Sequence, residues 1–287
     1  LQSGVERSLE AAVKRARASG YRGDSGAAVV LEIKTGRVLA MASYPTYEPE
    51  IWQKGLTVKQ AEDLFSEVKG VPALSRPLQG LFAPASTFKS ISVVAAANAG
   101  YSLDATYNCP ASVEIGNRTF NNFDSVAAGR LKLDVGLAIS CDSLWYQIAY
   151  DEWVRDGGLK PKSSTNDYFF NAAKAFGVGK ATGIDLPSEL SGRLPNRDWK
   201  QNWYEQNKDF YCNYKDRAKK QDLTRYLIEI ARENCIDGNK VRAGDAVNFS
   251  IGQGDTLVTP LRLAQIYAAI ANNGTYYKPQ VARAVVN

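Results

Sequence analysis

Ser86-Thr87-Phe88-Lys89 stands where Pro84-Ala85 hands over to a strongly apolar run. A spacing of three puts the Ser hydroxyl and the Lys ammonium on one helical face as near neighbours. The start of a helix adds partial positive charge and N–H groups able to stabilise an oxyanion. Phe88 and Ile91 would strip water from the Lys89 ammonium, which lowers its pKa toward that of a working base. The chemistry on offer is nucleophilic attack by Ser86 with Lys89 as proton acceptor. A Ser at a helix start is also a common N-cap, so the decision falls to the rest of the chain.

The 287 residues include no histidine. That removes the Ser-His-Asp triad, the Cys-His dyad and His-ligated metals at once. Acyl transfer here must run on Lys, carboxylates, Tyr or water. The four cysteines, Cys109, Cys141, Cys212 and Cys235, are too widely spaced for a CxxC metal or redox pattern, so the reading calls for no metal and no cofactor. The net charge of +5 is spread among Asp and Glu, above all from 208 to 242, without a basic stripe interleaved with aromatics. Nucleic acid is therefore not an expected partner.

Two further segments follow the nucleophile in order: Ser140-Cys141-Asp142 in a helical context, then Ser250-Ile251-Gly252-Gln253-Gly254-Asp255 with Thr259-Pro260-Leu261-Arg262. Together with Gly36-Arg37-Val38-Leu39-Ala40-Met41-Ala42-Ser43-Tyr44-Pro45 and Thr182-Gly183-Ile184-Asp185-Leu186-Pro187, they make the chain resemble the transpeptidase domain of class B penicillin-binding proteins. The elongation type is the nearest match, since its second motif often reads Ser-x-Asp.

The resemblance implies a serine D,D-transpeptidase or carboxypeptidase acting on peptidoglycan stem peptides. Ser86 attacks the penultimate D-Ala carbonyl, releases the terminal D-Ala, and forms an acyl-enzyme that the amine of a neighbouring strand resolves. Lys89 takes the Ser86 proton and Ser140 relays protons to the amine. Asp142 stands where an amide is common; a carboxylate there could raise the Lys89 pKa, or could serve as a helix cap. β-Lactams would acylate Ser86. The resemblance also implies a single-pass anchor in the bacterial cell membrane, an extracytoplasmic catalytic domain, and a SEDS-type membrane glycosyltransferase with the elongation machinery as partners. In such a compartment Cys212 and Cys235, which bracket a polar segment, are expected to form a disulfide. Cys141 is expected to be a small buried hydrophobe, and Trp145 and Tyr146 core residues.

A literal Lys34-Thr35-Gly36 exists, but it precedes the nucleophile and reads as a turn between two strands. The family's Lys-Thr/Ser-Gly motif lies on a strand well after Ser-x-Asp, which here would fall beyond Asn287. The expectation is thus that the C-terminal strands of the fold are missing from the chain, and with them the grip on the substrate carboxylate and one oxyanion donor, so that activity of the chain as it stands is impaired. Two other readings remain open on sequence alone: a β-lactam-binding module without turnover, and a serine β-lactamase.

The elements that must position these residues can be read from periodicity and punctuation. Residues 5–19 place Val5, Leu9, Ala12, Val13 and Ala16 on one face, and Gly20 stops the helix. Residues 27–33 and 37–42 form a hairpin across Lys34-Thr35-Gly36. The Pro-rich stretch 44–85 is irregular, with a short helix near 57–68. Helices are predicted over 86–99, over 131–149 with a break at 140–142, over 166–176, 223–234 and 260–272. Residues 101–130 make a small strand-and-loop excursion, 183–207 a loop, and Ser250 to Gly254 a tight turn using Gly252 and Gly254. A strand over 276–286 would let the two ends of the chain share a sheet. The pattern predicts one mixed α/β (α+β) transpeptidase domain over 1–287, built as the penicillin-binding and β-lactamase-like fold, a central antiparallel sheet flanked by helices. The longest apolar run, 91–97, falls far short of the roughly twenty residues of a membrane span.

Overall fold

The computed structural model describes residues 1–53, 55–220 and 223–282. The chain divides into two compact units. One comprises Leu1–Phe82, Phe176–Arg193 and Leu257–Asn287, the other Ala83–Ala175 and Leu194–Thr256.

In the first unit, β1 (Gly26–Leu31) and β2 (Val38–Tyr44) pair antiparallel, with Ala28 opposite Ala42 and an irregularity at Val30/Leu31. The turn between them needs Gly36: its φ is +76°, and a Cβ there would sit 2.7 Å from the Lys278 carbonyl oxygen. That closeness lets the C-terminal segment join the hairpin. Gln280 bridges Arg37 in parallel sense, its N–H donating to Gly36 O while its carbonyl accepts from Val38 N. The contact is a single isolated bridge and not a shared sheet: among the described residues 276–282 form no strand and the hairpin stays two-stranded, while residues 283–286 of the expected strand lie outside the described residues. The helix Gln2–Ala18 presents Leu9 and Val13 to the hairpin. Beneath it, Leu78, Ile184 and Leu261 form a buried cluster lined by Val29, Leu31, Val38, Met41 and Leu186. The helix Pro260–Ala271 starts as its sequence dictates, with Thr259 Oγ1 accepting from Arg262 N and Pro260 at the first position.

In the second unit, a helical core carries the chemistry-bearing residues. The helix Lys89–Asn98 packs on Tyr168–Ala175 and on Asp142–Arg155, and the latter packs on Ala243–Ser250. Phe88, Ile91, Leu144, Trp145, Val247 and Phe249 are almost wholly buried there. Residues 107–131 form the expected excursion from four short strands: β3 (Tyr107–Cys109), β4 (Ser112–Ile115), β5 (Arg118–Asn121) and β6 (Gly129–Leu131). β4 and β5 make a hairpin across Gly116-Asn117, and β3 pairs with β6. The helices Arg197–Cys212 and Arg225–Asp237 pack together and are joined by a disulfide between Cys212 and Cys235, the expected pair.

Three expectations need correction. Helix begins inside the supposed loop 183–207, at Arg197, where the Asn196 side chain accepts from Trp199 N. The polar composition of 197–212 hid it, since its apolar stripe is a ladder of aromatics, Trp199, Trp203 and Tyr211. Ser86 does not begin an α-helix: Ala85–Phe88 is a 3-10 turn and the α-helix starts at Lys89. Cys141 is buried but not merely a hydrophobe, because it is disulfide-bonded to Cys109.

Candidate active site

The 3-10 turn explains how Ser86 and Lys89 meet, because side chains three apart eclipse in that geometry. Lys89 Nζ lies 3.2 Å from Ser86 Oγ. Ala85, just before Ser86, has φ +48°, a left-handed conformation unusual for a residue with a Cβ. Its backbone is held in place, with Ala85 N donating to Gly252 O at 2.9 Å. Gly252 therefore closes the 250–254 turn directly under the Ala85–Phe88 turn, where φ is +69° and a Cβ would meet the Phe88 Cβ at 2.5 Å. Behind it, Phe249 meets the Phe88 ring edge-on at 5.0 Å, and Ser92 Oγ donates to Ser250 O at 2.5 Å.

The second group comes from the break between two helices. Leu133–Ala138 ends, Ser140 takes φ +59°, and Cys141 caps Asp142–Arg155 with its sulfur accepting from Leu144 N. This sharp reversal turns both Ser140 and Asp142 toward Lys89. Lys89 Nζ donates to Ser140 O at 2.8 Å, to Ser140 Oγ at 3.0 Å, and to Asp142 Oδ1 in a close ion pair. Ser140 Oγ in turn donates to Ser86 Oγ at 2.9 Å. Ser86, Lys89, Ser140 and Asp142, named from the sequence, are thus one connected hydrogen-bonded cluster. Ser86 is exposed while Lys89 is completely buried.

Burial is what sets the Lys89 pKa. Loss of solvation pushes the ammonium below its ordinary value, and the Asp142 carboxylate, through its hydrogen bond and charge, opposes that without reversing it. Tyr146, one turn on, is buried against Phe120, and its phenol is pushed up to about 12 by burial and then by Asp142. It stays protonated and packs as core, like Trp145.

Lys34, Thr35 and Gly36 lie in the first unit. Lys34 is an exposed turn residue whose ammonium donates to Asn272 Oδ1 at 3.2 Å. Asn122, which the sequence reading passed over, touches the cluster's backbone: its Oδ1 accepts from Asp142 N at 2.7 Å. Nothing in its surroundings, Thr119-Phe120-Asn121-Asn122-Phe123, marks it as special.

The family model described as the penicillin binding protein transpeptidase domain matches residues 26–287. This chain belongs to that family. Among curated relatives, the peptidoglycan D,D-transpeptidase MrdA of Escherichia coli K12 is 28% identical over 266 residues, 90% of this chain and 34% of that protein. PbpA of Mycolicibacterium smegmatis, also named a peptidoglycan D,D-transpeptidase, is 25% identical over 91% of this chain and 43% of its own length. The chain therefore spans about a third of MrdA. Among solved structures, Pseudomonas aeruginosa PBP2 in complex with WCK 5153 superposes with a TM-score of 0.68, 25% identity, and coverage of 96% of this chain and 52% of that one. Helicobacter pylori PBP2, solved with MreC, gives a TM-score of 0.71 at 21% identity over 94% of this chain and 42% of that one, and supports the fold. The mixed helix and strand architecture is that of penicillin-binding transpeptidase domains.

Proposed function

We propose that the chain is the catalytic part of an elongation-type peptidoglycan D,D-transpeptidase, with Ser86 as nucleophile, Lys89 as base and Ser140 as proton relay. The observation that carries this reading is the set of partners around the Lys89 nitrogen. Two of its four neighbours, Ser140 O and the Asp142 carboxylate, can only accept hydrogen bonds. The other two neighbours are the hydroxyl oxygens of Ser86 at 3.2 Å and Ser140 at 3.0 Å, so an ammonium that gives up one proton turns its lone pair toward the Ser86–Ser140 hydroxyl pair. Burial lowers the Lys89 pKa and so favours loss of that proton, and Lys89 once deprotonated is placed to take the Ser86 hydroxyl proton.

The steps follow. Ser86 Oγ attacks the carbonyl carbon of the penultimate D-Ala as its proton passes to Lys89 Nζ. The tetrahedral oxyanion sits at the start of the 3-10 turn, where Ser86 N–H serves as one donor. Collapse breaks the peptide bond, and a proton returned through Lys89 and Ser140 leaves with the D-Ala amine. In the second half an incoming amine loses its proton along the same relay, attacks the ester, and frees Ser86; attack by water instead gives carboxypeptidase activity. A β-lactam opens on Ser86 by the first half alone. The two disulfides fit an oxidising, extracytoplasmic site of action for a membrane-anchored protein. Among the described residues no helix is long and apolar enough to cross a membrane. A SEDS-type glycosyltransferase is the proposed partner in synthesis. It has a parallel in the peptidoglycan synthase complex described as coordinating polymerization and crosslinking, to which the chain is 26% identical at TM-score 0.70, over 98% of this chain and 41% of that one.

The test is intact mass after exposure to fluorescent penicillin, with Ser86→Ala as the blank, followed by release of D-Ala from a stem-pentapeptide donor in the presence and absence of an amine acceptor. A single adduct on Ser86 and acceptor-dependent transfer are expected. Adduct formation without D-Ala release would leave a β-lactam-binding module, and an unlabelled protein would overturn the reading altogether.

A further inference from the structure

Three consecutive residues at the Ser140 turn are each held by the same excursion, residues 107–131. Cys141 is bonded covalently to Cys109 at the end of β3. The Asp142 N–H donates to Asn122 Oδ1 at 2.7 Å, just after β5. Ser143 Oγ donates to Pro110 O at 2.7 Å. Asn122 is itself fixed, since its Nδ2 donates to Val126 O at 3.0 Å and lies 3.6 Å from Cys109 Sγ. Asn122, Cys141, Asp142 and Ser143 are all buried, and Cys109 is completely so. A surface ornament would not need three separate attachments to three successive backbone positions, one of them covalent.

We infer that the 107–131 excursion is a clamp that sets the Ser140–Asp142 turn, with Asn122 as its positioning residue and the Cys109–Cys141 disulfide as its covalent arm. The left-handed backbone of Ser140 is strained for a residue with a Cβ and persists only where its surroundings over-determine it. Leu133–Ala138 fixes one side of the turn, and the clamp fixes the other. The Asp142 N–H belongs to the first turn of its helix, where backbone donors have no intrahelical acceptor, so Asn122 satisfies a group that would otherwise pull the turn toward water. If the turn relaxes, Ser140 Oγ, Ser140 O and the Asp142 carboxylate leave Lys89 together, because all three ride on it. Asn122 touches none of the reacting atoms and acts through Asp142.

The consequence for catalysis rests on the function proposed above; the consequence for the turn does not. Two variants remove the arms separately. Asn122→Ala deletes the acceptor, and Cys109→Ala opens the disulfide while leaving the Cys141 sulfur to cap its helix. Asn122→Asp keeps an acceptor for the Asp142 N–H and is the rescue variant. Each is assayed by hydrogen exchange of peptides covering 137–146 and by the rate of penicillin acylation, with the melting temperature recorded to confirm folding. Asn122→Ala and Cys109→Ala are expected to exchange faster in 137–146 and to acylate on the order of a hundredfold more slowly, the loss that a displacement of about 1 Å can cause. Asn122→Asp, which keeps that acceptor but loses the Nδ2 donor to Val126 O, is expected to recover part of both. Unchanged exchange across 137–146 in both variants overturns the clamp, as does wild-type acylation in a variant whose exchange has risen. If the wild-type protein takes no label, the proposed function fails on its own, and the exchange measurement alone then upholds or overturns the clamp.

Discussion

Gly252 lies against Phe88 so closely that a Cβ on it would stand 2.5 Å from the Phe88 Cβ and 2.6 Å from the Ala85 carbonyl oxygen. The two residues are far apart in sequence, yet the glycine forms the seat of the turn that presents Ser86. A methyl group there has nowhere to go, because one of the atoms it meets is backbone, and the φ of +69° is itself unfavourable for any side chain. Gly252→Ala is expected to cost about 2–4 kcal/mol of stability, read by denaturant unfolding, with overpacking and left-handed strain both contributing. Its acylation by penicillin should slow even where the protein remains folded. Wild-type rates in a folded Gly252→Ala protein would show that the 250–254 turn does not shape the nucleophile.

The Cys212–Cys235 disulfide has a different task. It closes a loop of 23 residues across the helices Arg197–Cys212 and Arg225–Asp237, and Tyr204 OH donates to Cys235 O beside it. Removing it frees the unfolded chain, at a cost of about 2–4 kcal/mol. The double variant Cys212→Ala/Cys235→Ala is expected to melt earlier while acylating at the wild-type rate. Loss of acylation at temperatures where the variant is fully folded would contradict this division of labour between the two disulfides.

Lys34-Thr35-Gly36 carries the letters of a substrate-binding motif in the setting of a hairpin turn. Lys34 is exposed and satisfied by Asn272, an arrangement in which an ion or hydrogen-bond partner contributes at most about 1 kcal/mol. Lys34→Ala should leave penicillin acylation within about twofold of wild type and stability within about 0.5 kcal/mol. A large drop in acylation would identify Lys34 as a carboxylate-binding group.

What the sequence made legible were features with a local cause. Ser86 and Lys89 announce themselves through a spacing of three at the mouth of an apolar helix, and Ser140-Cys141-Asp142 through a break in a helical pattern. The hairpin was readable because its two β-rich runs flank a Gly-terminated turn. The clamp was not readable, because Asn122 gains its role from a backbone N–H twenty residues away, and no local pattern records that distance. The Cys109–Cys141 bond was hidden for the same reason: a cysteine inside a motif and another in a short strand have no sequence sign of pairing. The helix at 197–212 escaped because polar residues and aromatics, rather than aliphatics, make up its surface, and tertiary packing decides its state.

The Lys89–Asp142 pair gives the most direct test of the proposed base. Burial holds the Lys89 pKa below 10.5, and Asp142 offsets part of that lowering by favouring the ammonium. Asp142→Asn keeps an acceptor but removes the charge, so the Lys89 pKa must fall further. More of the amine is then neutral at any given pH, and the acid limb of the acylation rate is expected to move to lower pH. The ceiling rate should drop, since an amide holds the amine less firmly than a carboxylate. Between the folded pKa of Lys89 and 10.5 the unfolded chain carries a proton that the native site lacks, so stability rises with pH across that window and is lowest below it. Lowering the folded pKa widens the window downward, and Asp142→Asn should therefore lose more stability on the acid side of it than above 10.5. The size expected is about 1–3 kcal/mol, that of weakening a hydrogen bond to a buried charged group. The measurements are acylation rates and denaturant midpoints across pH for both proteins. An acid limb that stays in place, or moves to higher pH, would mean that Lys89 does not accept the Ser86 proton as a neutral amine.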